Sequence, residues 1–355
     1  MLRRIKLATL NLMKAAGVFE LVANSRWRRE RLLILCYHGI SLEDEHLWRP
    51  FLYMNAGQLA NRLDALNSMG CPVLPLGEAL TRLQRCDLPP RSVAITFDDG
   101  TYDFYKQAYP LLKQHNLPVT VYQTTYYSDH AMPVFNLMCS YLLWKRRDKQ
   151  VIDAREFGLS ESMEVRTEAG RHRIVRGLID LSDREKLNGK QKNEIARRLA
   201  EIMEIDYSLL VAKRILQLMN EQELAEVVAN GVDVQLHTHR HRTPDAEQSF
   251  RQEITDNRER IRTITGKEAS HFCYPSGVYR KQFIGWLEKE QITSATTCDA
   301  GLARHDDNQY LLPRLVDTTG RSQLEFDSWL CGVGDLLSFH RAAPQRYVLP
   351  KDRPE

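Results

Sequence analysis

The chain has 355 residues, of which 43% are hydrophobic and 27% charged, a balance typical of a globular protein with a sizeable core. Its formal net charge of +3 gives no reason to expect nucleic-acid binding, although an anionic substrate stays open. Seven cysteines without a CxxC pair argue against a disulfide framework and favour reduced thiols, so we expect a cytoplasmic protein.

The N-terminal segment, residues 1–30, predicts an amphipathic helix. Apolar residues recur there at helical spacings: Ile5, Ala8, Leu12, Ala15, Phe19 and Val22. Two interpretations stay open. This face could pack on the rest of the domain, or it could make a peripheral contact with a membrane, helped by Arg3, Arg4 and Lys6. Lys14 and Glu20 interrupt the apolar run, which argues against a signal peptide, and no stretch reaches the ~20 apolar residues that span a bilayer.

Short apolar runs typical of buried strands alternate with helical patterns through the rest of the chain. In chain order these runs are LLILCY (32–37), CPVLPL (71–76), SVAITF (92–97), PVTVYQ (118–123), VDVQLH (232–237), SHFCY (270–274) and ITSATT (292–297). Strand–helix alternation predicts an α/β fold with a parallel sheet, open or closed into a barrel. The count of about seven strands is one short of the standard eight-stranded barrel.

The domain organisation follows from the spacing of these runs. A main domain is expected at 31–341, interrupted at about 126–230 by a segment that is too long for a strand-to-strand crossover. We interpret that segment as a mostly helical insertion. The Pro- and charge-rich residues 342–355 predict a C-terminal tail.

The stretch VAITFDDGTYD ends a predicted buried strand on two adjacent carboxylates, Asp98 and Asp99. Ionised carboxylates are rarely buried without a partner, because their desolvation is costly. The pair is therefore either part of an ordinary turn or lies beside a cation.

A second stretch, DVQLHTHRHRTP, places three histidines directly after another predicted strand. The spacing of four between His237 and His241 would let both imidazoles face one point on a helical turn, whereas His239 would point elsewhere. Two imidazoles and a carboxylate such as Asp99 are a common ligand set for zinc and similar divalent ions. A dication would neutralise Asp99 and leave Asp98 to accept a proton from water.

The third stretch, HFCYPSGVY, again ends a strand, here with Pro275, Ser276 and Gly277. An ordinary turn explains these residues. The functional alternative is a backbone N–H, that of Ser276, directed at an oxyanion.

TFDDG followed by His-Thr-x-x-His and then Tyr-Pro-Ser-Gly resembles the polysaccharide deacetylases, the NodB-homology carbohydrate esterases. LCYHGI and LPPRSVAITFDDG also resemble the opening of that domain, and the likeness runs from about Leu32 to Leu315 with the insertion excepted. The resemblance implies a distorted (β/α)7 barrel that binds one divalent metal ion and removes N- or O-acetyl groups from sugars.

Carried over by motif, the resemblance implies that Asp98 is the catalytic base, with Thr238 at the small hydroxyl position between the ligands. The implied metal ligands are Asp99, His237 and His241. The implied wall of the acyl pocket is formed by Tyr274, Pro275, Ser276 and Gly277.

The chain also departs from the family pattern. Cys273 stands where the family has an arginine that orients the catalytic Asp, and we expect Arg314 in YLLPRLV to substitute for it. The late catalytic histidine of the family is not evident, and His271, His305 and His340 are open candidates for the acid. His38, after the first strand, is expected in the mouth of the barrel as a substrate contact or a structural residue.

Three functions remain open at this point. The first is a metal-dependent deacetylase acting on a sugar of a polysaccharide or lipid-linked glycan. The second is a carbohydrate-binding or assembly protein on the same scaffold with little or no turnover. The third is a metal-dependent phosphoesterase, since acidic pairs also hold metals for phosphoryl chemistry. The donor set favours Zn²⁺, with Co²⁺, Ni²⁺ or Mn²⁺ as alternatives.

Overall fold

The computed structural model describes residues 2–129 and 132–338. Within these residues the chain divides into two compact units, one formed by residues 2–126 and 221–338 and the other by residues 127–129 and 132–220. The predicted tail, residues 342–355, and His340 lie outside the described residues.

The N-terminal segment forms three helices instead of one: α1 (Leu2–Ala15), α2 (Val18–Ala23) and α3 (Arg26–Arg29). Gly17 separates the first two with a φ of 77°, a left-handed conformation that glycine adopts without steric cost. In the described part of the chain, no helix combines the length and hydropathy needed to cross a membrane.

Only part of the apolar pattern of this segment is buried. Leu10 of α1 and Phe19 of α2 pack with Cys331 near the end of the described chain. Ile5 and Leu12, in contrast, are exposed to 54% and 72%. Of the two open interpretations, packing on the domain holds for Phe19 and Val22 of the predicted apolar face but not for Ile5 and Leu12.

Seven strands form the barrel: β1 (Arg31–Tyr37), β2 (Val93–Phe97), β3 (Thr120–Gln123), β4 (Asp233–Leu236), β5 (His271–Cys273), β6 (Ser294–Thr296) and β7 (Leu315–Val316). They run parallel in the order β6–β5–β4–β3–β2–β1–β7. Nearly every strand residue is buried, as parallel sheets with covered faces require.

The segment before β7 curls the sheet toward closure. Leu312 forms a parallel bridge with Thr296 of β6, and Leu315 and Val316 then pair with β1. The predicted distorted seven-stranded barrel is thus confirmed. The predicted strand CPVLPL is wrong, because only Val73 forms a bridge, with Val93, and the prolines at both sides lack N–H donors.

The remaining elements of the first unit surround this barrel. Its helices are α4 (Glu45–Trp48), α5 (Ala56–Ser68), α6 (Leu76–Arg85), a π-helix (Phe104–Ala108), α7 (Tyr109–Gln114), α12 (Glu221–Ala229), α13 (Glu247–Thr265), a 3₁₀ turn (Pro275–Gly277), α14 (Lys281–Lys289), α15 (Gln323–Cys331) and α16 (Val333–Leu336). Gly39–Ile40 pairs with Tyr53–Met54, and Ala303–Arg304 pairs antiparallel with the start of β1.

The second unit is mostly helical. It contains α8 (Phe135–Lys145), α9 (Glu168–Arg184), α10 (Gly189–Ile202), α11 (Tyr207–Ala212), a 3₁₀ turn (Arg155–Phe157) and a short hairpin of Val151–Ile152 with Met163–Glu164. A further 3₁₀ turn, Tyr126–Asp129, leads into it.

A buried ion pair joins α5 to the segment after β7. Arg62 Nε lies 2.9 Å from Asp317 Oδ2, and the two side chains are only 6% and 0% exposed. Arg62 also donates to Gln323 Oε1 (2.7 Å) and to the carbonyl of Arg321 (2.6 Å). The pair therefore connects elements that are far apart in the sequence.

We predict that Arg62→Leu lowers the free energy of unfolding by about 3 kcal/mol, because it leaves the carboxylate of Asp317 buried without its main partner. Arg82→Leu is the matched control, since Arg82 pairs with Glu78 on the surface of α6 and is 40% exposed; it should change stability by less than about 0.5 kcal/mol. Urea unfolding followed by circular dichroism measures both. Equal, small effects would contradict the structural role of Arg62.

Candidate active site

The carboxyl ends of the parallel strands gather the candidate residues at one end of the barrel, as expected for this architecture. His38 follows β1, Asp98 and Asp99 follow β2, His237 follows β4 and Tyr274 follows β5. Residues far apart in the chain therefore reach a common site.

The turn after β2 has an unusual backbone. Asp99 and Gly100 both have left-handed φ angles, 70° and 73°. A Cβ at Gly100 would lie 1.9 Å from Gln123 Oε1, so only glycine fits. For Asp99 the conformation carries a strain of roughly 1–3 kcal/mol, which is typical of functional sites. It allows the two adjacent carboxylates to meet different partners.

Asp99 lies between two histidines. Its Oδ1 atom is 3.3 Å from His237 Nε2 and 3.2 Å from His241 Nε2. The ligand-type atoms of the three side chains all lie within 4.8 Å of one another. Asp99 Oδ1 is buried and accepts no hydrogen bond within the described chain. An orphaned buried oxygen facing two ring nitrogens has the chemistry of a cation site.

The hydrogen bond made by Nδ1 of His237 determines whether its Nε2 presents a proton or a lone pair to Asp99. Nδ1 lies 2.9 Å from the carbonyl oxygen of Cys273, which can only accept, so Nδ1 carries the proton. In the neutral ring, Nε2 then presents a lone pair to the carboxylate oxygen of Asp99. Two acceptors at this distance need a positive charge between them, and a divalent metal ion fits that requirement.

The loop that carries His241 is not the helical turn that we expected. Thr238 and His241 have φ angles of 61° and 54°, and the Thr238 hydroxyl accepts a hydrogen bond from the backbone N–H of Arg242 (3.0 Å). The rings of His237 and His241 nevertheless come together, with centroids 4.9 Å apart. The expected convergence is therefore present, but it is produced by a strained loop.

Helix α13 holds this loop through two buried side chains, Glu253 and Asn257. Glu253 accepts hydrogen bonds from Arg242 Nε (2.7 Å) and from the backbone N–H of Arg240 (2.8 Å). Asn257 accepts the backbone N–H of His237 (2.9 Å). One face of α13 therefore positions both candidate histidine ligands.

Asp98 binds Arg314, and one of its carboxylate oxygens also lies within 4.8 Å of a ring nitrogen of His237. The guanidinium donates two hydrogen bonds of 2.7 Å, one to each carboxylate oxygen, and the side chains are 0% and 2% exposed. Arg314 is held in turn by the carbonyl of Thr297 (2.9 Å) and the hydroxyl of Thr96 (3.1 Å). The contact agrees with the expected substitution of Arg314 for the family's arginine.

The Arg314 pair determines the ionisation of Asp98. Burial alone would raise the pKa of Asp98, but the charge and hydrogen bonds of Arg314 outweigh burial and hold that pKa well below its ordinary value. The thiols of Cys36 and Cys273 lie 3.5 and 3.4 Å from Asp98 Oδ2. Burial raises the pKa of both thiols, which therefore stay protonated and donate to this oxygen.

His38 lies beside the same carboxylate. Its Nε2 atom is 3.7 Å from Asp98 Oδ2. Burial lowers the pKa of His38, although the charges of Asp98 and Asp99 oppose that shift, so the ring is neutral at neutral pH. A neutral imidazole here offers an N–H for hydrogen bonding.

The loop after β5 begins next to the hydrogen-bond partner of His237. Tyr274 is buried and its hydroxyl donates to the carbonyl of Tyr310 (3.1 Å). Pro275 and Gly277 are buried in the 3₁₀ turn, whereas Ser276 is exposed and has a φ of 55°. A Cβ at Gly277 would lie 2.9 Å from Cys298 Cβ, so glycine lets the turn pack closely.

Two other candidate acids lie elsewhere. His271 is the first residue of β5, and its Nδ1 lies 2.8 Å from the hydroxyl of Ser294 at the start of β6. His305 is exposed and follows the short strand that pairs with Arg31 at the start of β1. Both belong to the amino ends of the strands, opposite the carboxylates. This position argues against both candidates as the acid.

Three residues that contact the site, Glu253, Asn257 and Cys36, were not predicted from the sequence. A weak signal existed on α13, since residues 253 and 257 are polar and fall at helical spacing beside the apolar Phe250, Ile254 and Ile261. No local pattern distinguished Cys36 from an ordinary strand residue.

Comparisons with known proteins agree with this architecture. The polysaccharide deacetylase family model matches residues 86–158 and 193–295. Similar solved structures include the deacetylase PplD from Streptococcus pyogenes in complex with acetate (17% identity, TM-score 0.54, 82% of this chain and 94% of that chain). IcaB from Ammonifex degensii has 16% identity and a TM-score of 0.54, over 85% of this chain and 97% of that chain.

A de-N-acetylase from Aggregatibacter actinomycetemcomitans is also similar, with 14% identity and a TM-score of 0.50 over 82% of this chain and 97% of that chain. At these identities the solved structures show a shared fold. No curated protein matches the chain. The family model and the barrel together place the chain in the polysaccharide deacetylase family, and it is a carbohydrate deacetylase.

Proposed function

We propose that the protein is a metal-dependent hydrolase that removes an N- or O-acetyl group from a sugar of a polysaccharide or lipid-linked glycan. Of the two, we favour the N-acetyl group. The observation that carries the proposal is the cluster of three acceptors, Asp99, His237 and His241, next to the separately held carboxylate of Asp98. The similarity to the de-N-acetylase from Aggregatibacter actinomycetemcomitans supports the choice of an amide substrate.

In this proposal Asp99, His237 and His241 hold the metal ion. Two ring nitrogens and one carboxylate suit Zn²⁺, and Co²⁺, Ni²⁺ or Mn²⁺ also accept this donor set. When bound, such an ion supplies Lewis acidity toward a carbonyl oxygen and toward water. The backbone strain at Asp99 and His241 is consistent with a loop geometry that is selected for ligand placement.

Asp98 is the proposed general base. Arg314 keeps it ionised and fixes the orientation of its carboxylate, because the guanidinium binds both oxygens in one plane. The proton of the attacking water would pass to Asp98 as the new C–O bond forms at the acetyl carbon; the C–N bond would then break, releasing acetate and the sugar amine, which takes up a proton. Asp98 thus performs a role that Asp99, facing the histidines, cannot perform at the same time.

Two further groups are proposed to contact the substrate. The backbone N–H of the exposed Ser276 would donate to the developing oxyanion, and the left-handed φ of that residue orients this N–H differently from an ordinary turn. Neutral His38 would donate a hydrogen bond to the reacting group beside Asp98.

The alternative of an inert scaffold rested on the missing arginine at position 273 and on the absence of the family's late histidine. The bidentate contact of Arg314 with Asp98, from the segment that leads into β7, answers the first reason only. The arginine that contacts Asp98, Arg314, is fully buried in that pair and is not available to bind phosphate, so it gives the phosphoesterase alternative no support.

We predict that His241→Ala weakens Zn²⁺ binding by more than about a hundredfold, since even the loss of an outer-shell partner typically costs about ten- to a hundredfold. His239→Ala is the matched control, because His239 lies in the same loop but its Nδ1 contacts the Thr125 hydroxyl at 2.9 Å; its effect should stay below about threefold. Isothermal titration of metal-free protein measures both. A wild-type protein that binds no divalent ion would contradict the proposal.

We predict that Asp98→Asn lowers kcat for acetate release by about a hundredfold to ten-thousandfold while divalent-ion binding is retained, because the base is lost and the ligand set is not. The assay measures acetate released from a panel of N- and O-acetylated oligosaccharides. Undiminished activity in this variant would remove Asp98 from the role of base.

We predict that Arg314→Lys moves the acid limb of the kcat/KM profile to higher pH. Arg314 holds the pKa of Asp98 low, so a weaker partner raises that pKa, and the ionised base is lost at a higher pH than in the wild type. Arg304→Lys is the control, since Arg304 pairs with Asp307 at the amino ends of the strands. An unshifted acid limb in a folded Arg314→Lys protein would contradict this assignment.

A further inference from the structure

Helix α1 presents its apolar residues to solvent. Ile5, Ala8, Leu12 and Ala15, hereafter the apolar stripe, are spaced three or four residues apart and all are exposed. The buried residue of this helix is Leu10, at 1% exposure, on the opposite side. The helix therefore packs through Leu10 and the partly buried Met13 and leaves the apolar stripe uncovered within the described chain.

Ion pairs explain this orientation. Lys6 Nζ lies 3.0 Å from Glu325 Oε1, and Lys14 Nζ lies 2.8 Å from Asp327 Oδ2. Arg3 also approaches Glu325, at 3.5 Å. The cations of α1 thus face the acidic side of α15 on the same side as Leu10. This arrangement sets the rotation of α1 about its axis and turns the apolar stripe outward.

The charge of α1 indicates what could cover the stripe. The helix carries four cations, Arg3, Arg4, Lys6 and Lys14, and no acidic residue. The acids that pair with Arg3, Lys6 and Lys14 lie on the side of α1 opposite the stripe, so two copies paired along their stripes would bring exposed cations such as Arg4 together with no acid of α1 between them, which disfavours a dimer through this face. An anionic lipid surface complements both the aliphatic stripe and the basic residues at its border.

We propose that the apolar stripe is a docking surface for a bilayer rich in anionic lipid, with α1 lying in the plane of the interface. Its length of 14 residues, about 21 Å, is too short to cross a bilayer and is sufficient to lie on one. Exposed Arg4 contributes the electrostatic part of the attraction, because Arg3, Lys6 and Lys14 already face acids. The surface is separate from the catalytic carboxylates, so binding does not depend on the proposed chemistry.

The test uses the full chain and vesicles made of equal parts phosphatidylcholine and phosphatidylglycerol. We expect the wild type to co-sediment with these vesicles at low salt and to bind pure phosphatidylcholine vesicles far more weakly. Ile5→Glu with Leu12→Glu should lower the binding by at least about tenfold, since two aliphatic side chains that would be buried in the bilayer are lost. Arg4→Glu, which leaves the stripe intact, should lower it by about fivefold and mainly at low salt.

Leu209→Glu is the matched control, because Leu209 is an exposed leucine of α11 in the other unit, 48% accessible. It should bind vesicles like the wild type. Thermal unfolding and acetate release from a water-soluble sugar check that every variant is folded. The proposal is overturned if the wild type does not bind anionic vesicles, or if the double variant binds as well as the control. Light scattering that shows a wild-type dimer dissociated by the double variant, without vesicle binding, would instead assign the stripe to a second copy.

Discussion

The buried pair between Arg314 and Asp98 is the contact on which the rest of the site depends. A guanidinium and a carboxylate that are both removed from water are stable only when they bind each other well, and here two hydrogen bonds of 2.7 Å meet that condition. The pair also joins the segment leading into β7 to the end of β2. The same ion pair therefore helps to close the barrel and keeps Asp98 ionised.

The backbone conformation after β2 explains how Asp98 and Asp99 can be adjacent in the chain. The left-handed backbone at Asp99 directs its carboxylate toward His237 and His241, while Asp98 stays with Arg314. Each carboxylate therefore has its own contacts, although the two residues are adjacent in the chain. The strain at this turn is small compared with the several kcal/mol that an unpaired buried charge costs, so the fold can sustain it.

Elements that depend on local pattern could be predicted. The runs of apolar residues indicated six of the seven barrel strands; the two-residue strand β7 was not among them, and CPVLPL forms no strand because its prolines prevent a ladder beyond the bridge at Val73. The HTxxH spacing indicated convergence of His237 and His241 but not the loop that produces it. The supporting residues Glu253 and Asn257 could not be predicted, because their roles exist only after α13 packs beside β4.

The sequence alone determined which residues could do chemistry: two carboxylates after a strand, two imidazoles four apart, and an arginine late in the chain. Tertiary structure decided which of them are partners. It placed Arg314 against Asp98, 216 positions away in the sequence, and it paired Lys6 and Lys14 of α1 with acidic residues of α15. The physical reason is that periodicity and spacing record only neighbours along the chain, whereas desolvated charges are paired by whatever the fold brings within a few ångströms.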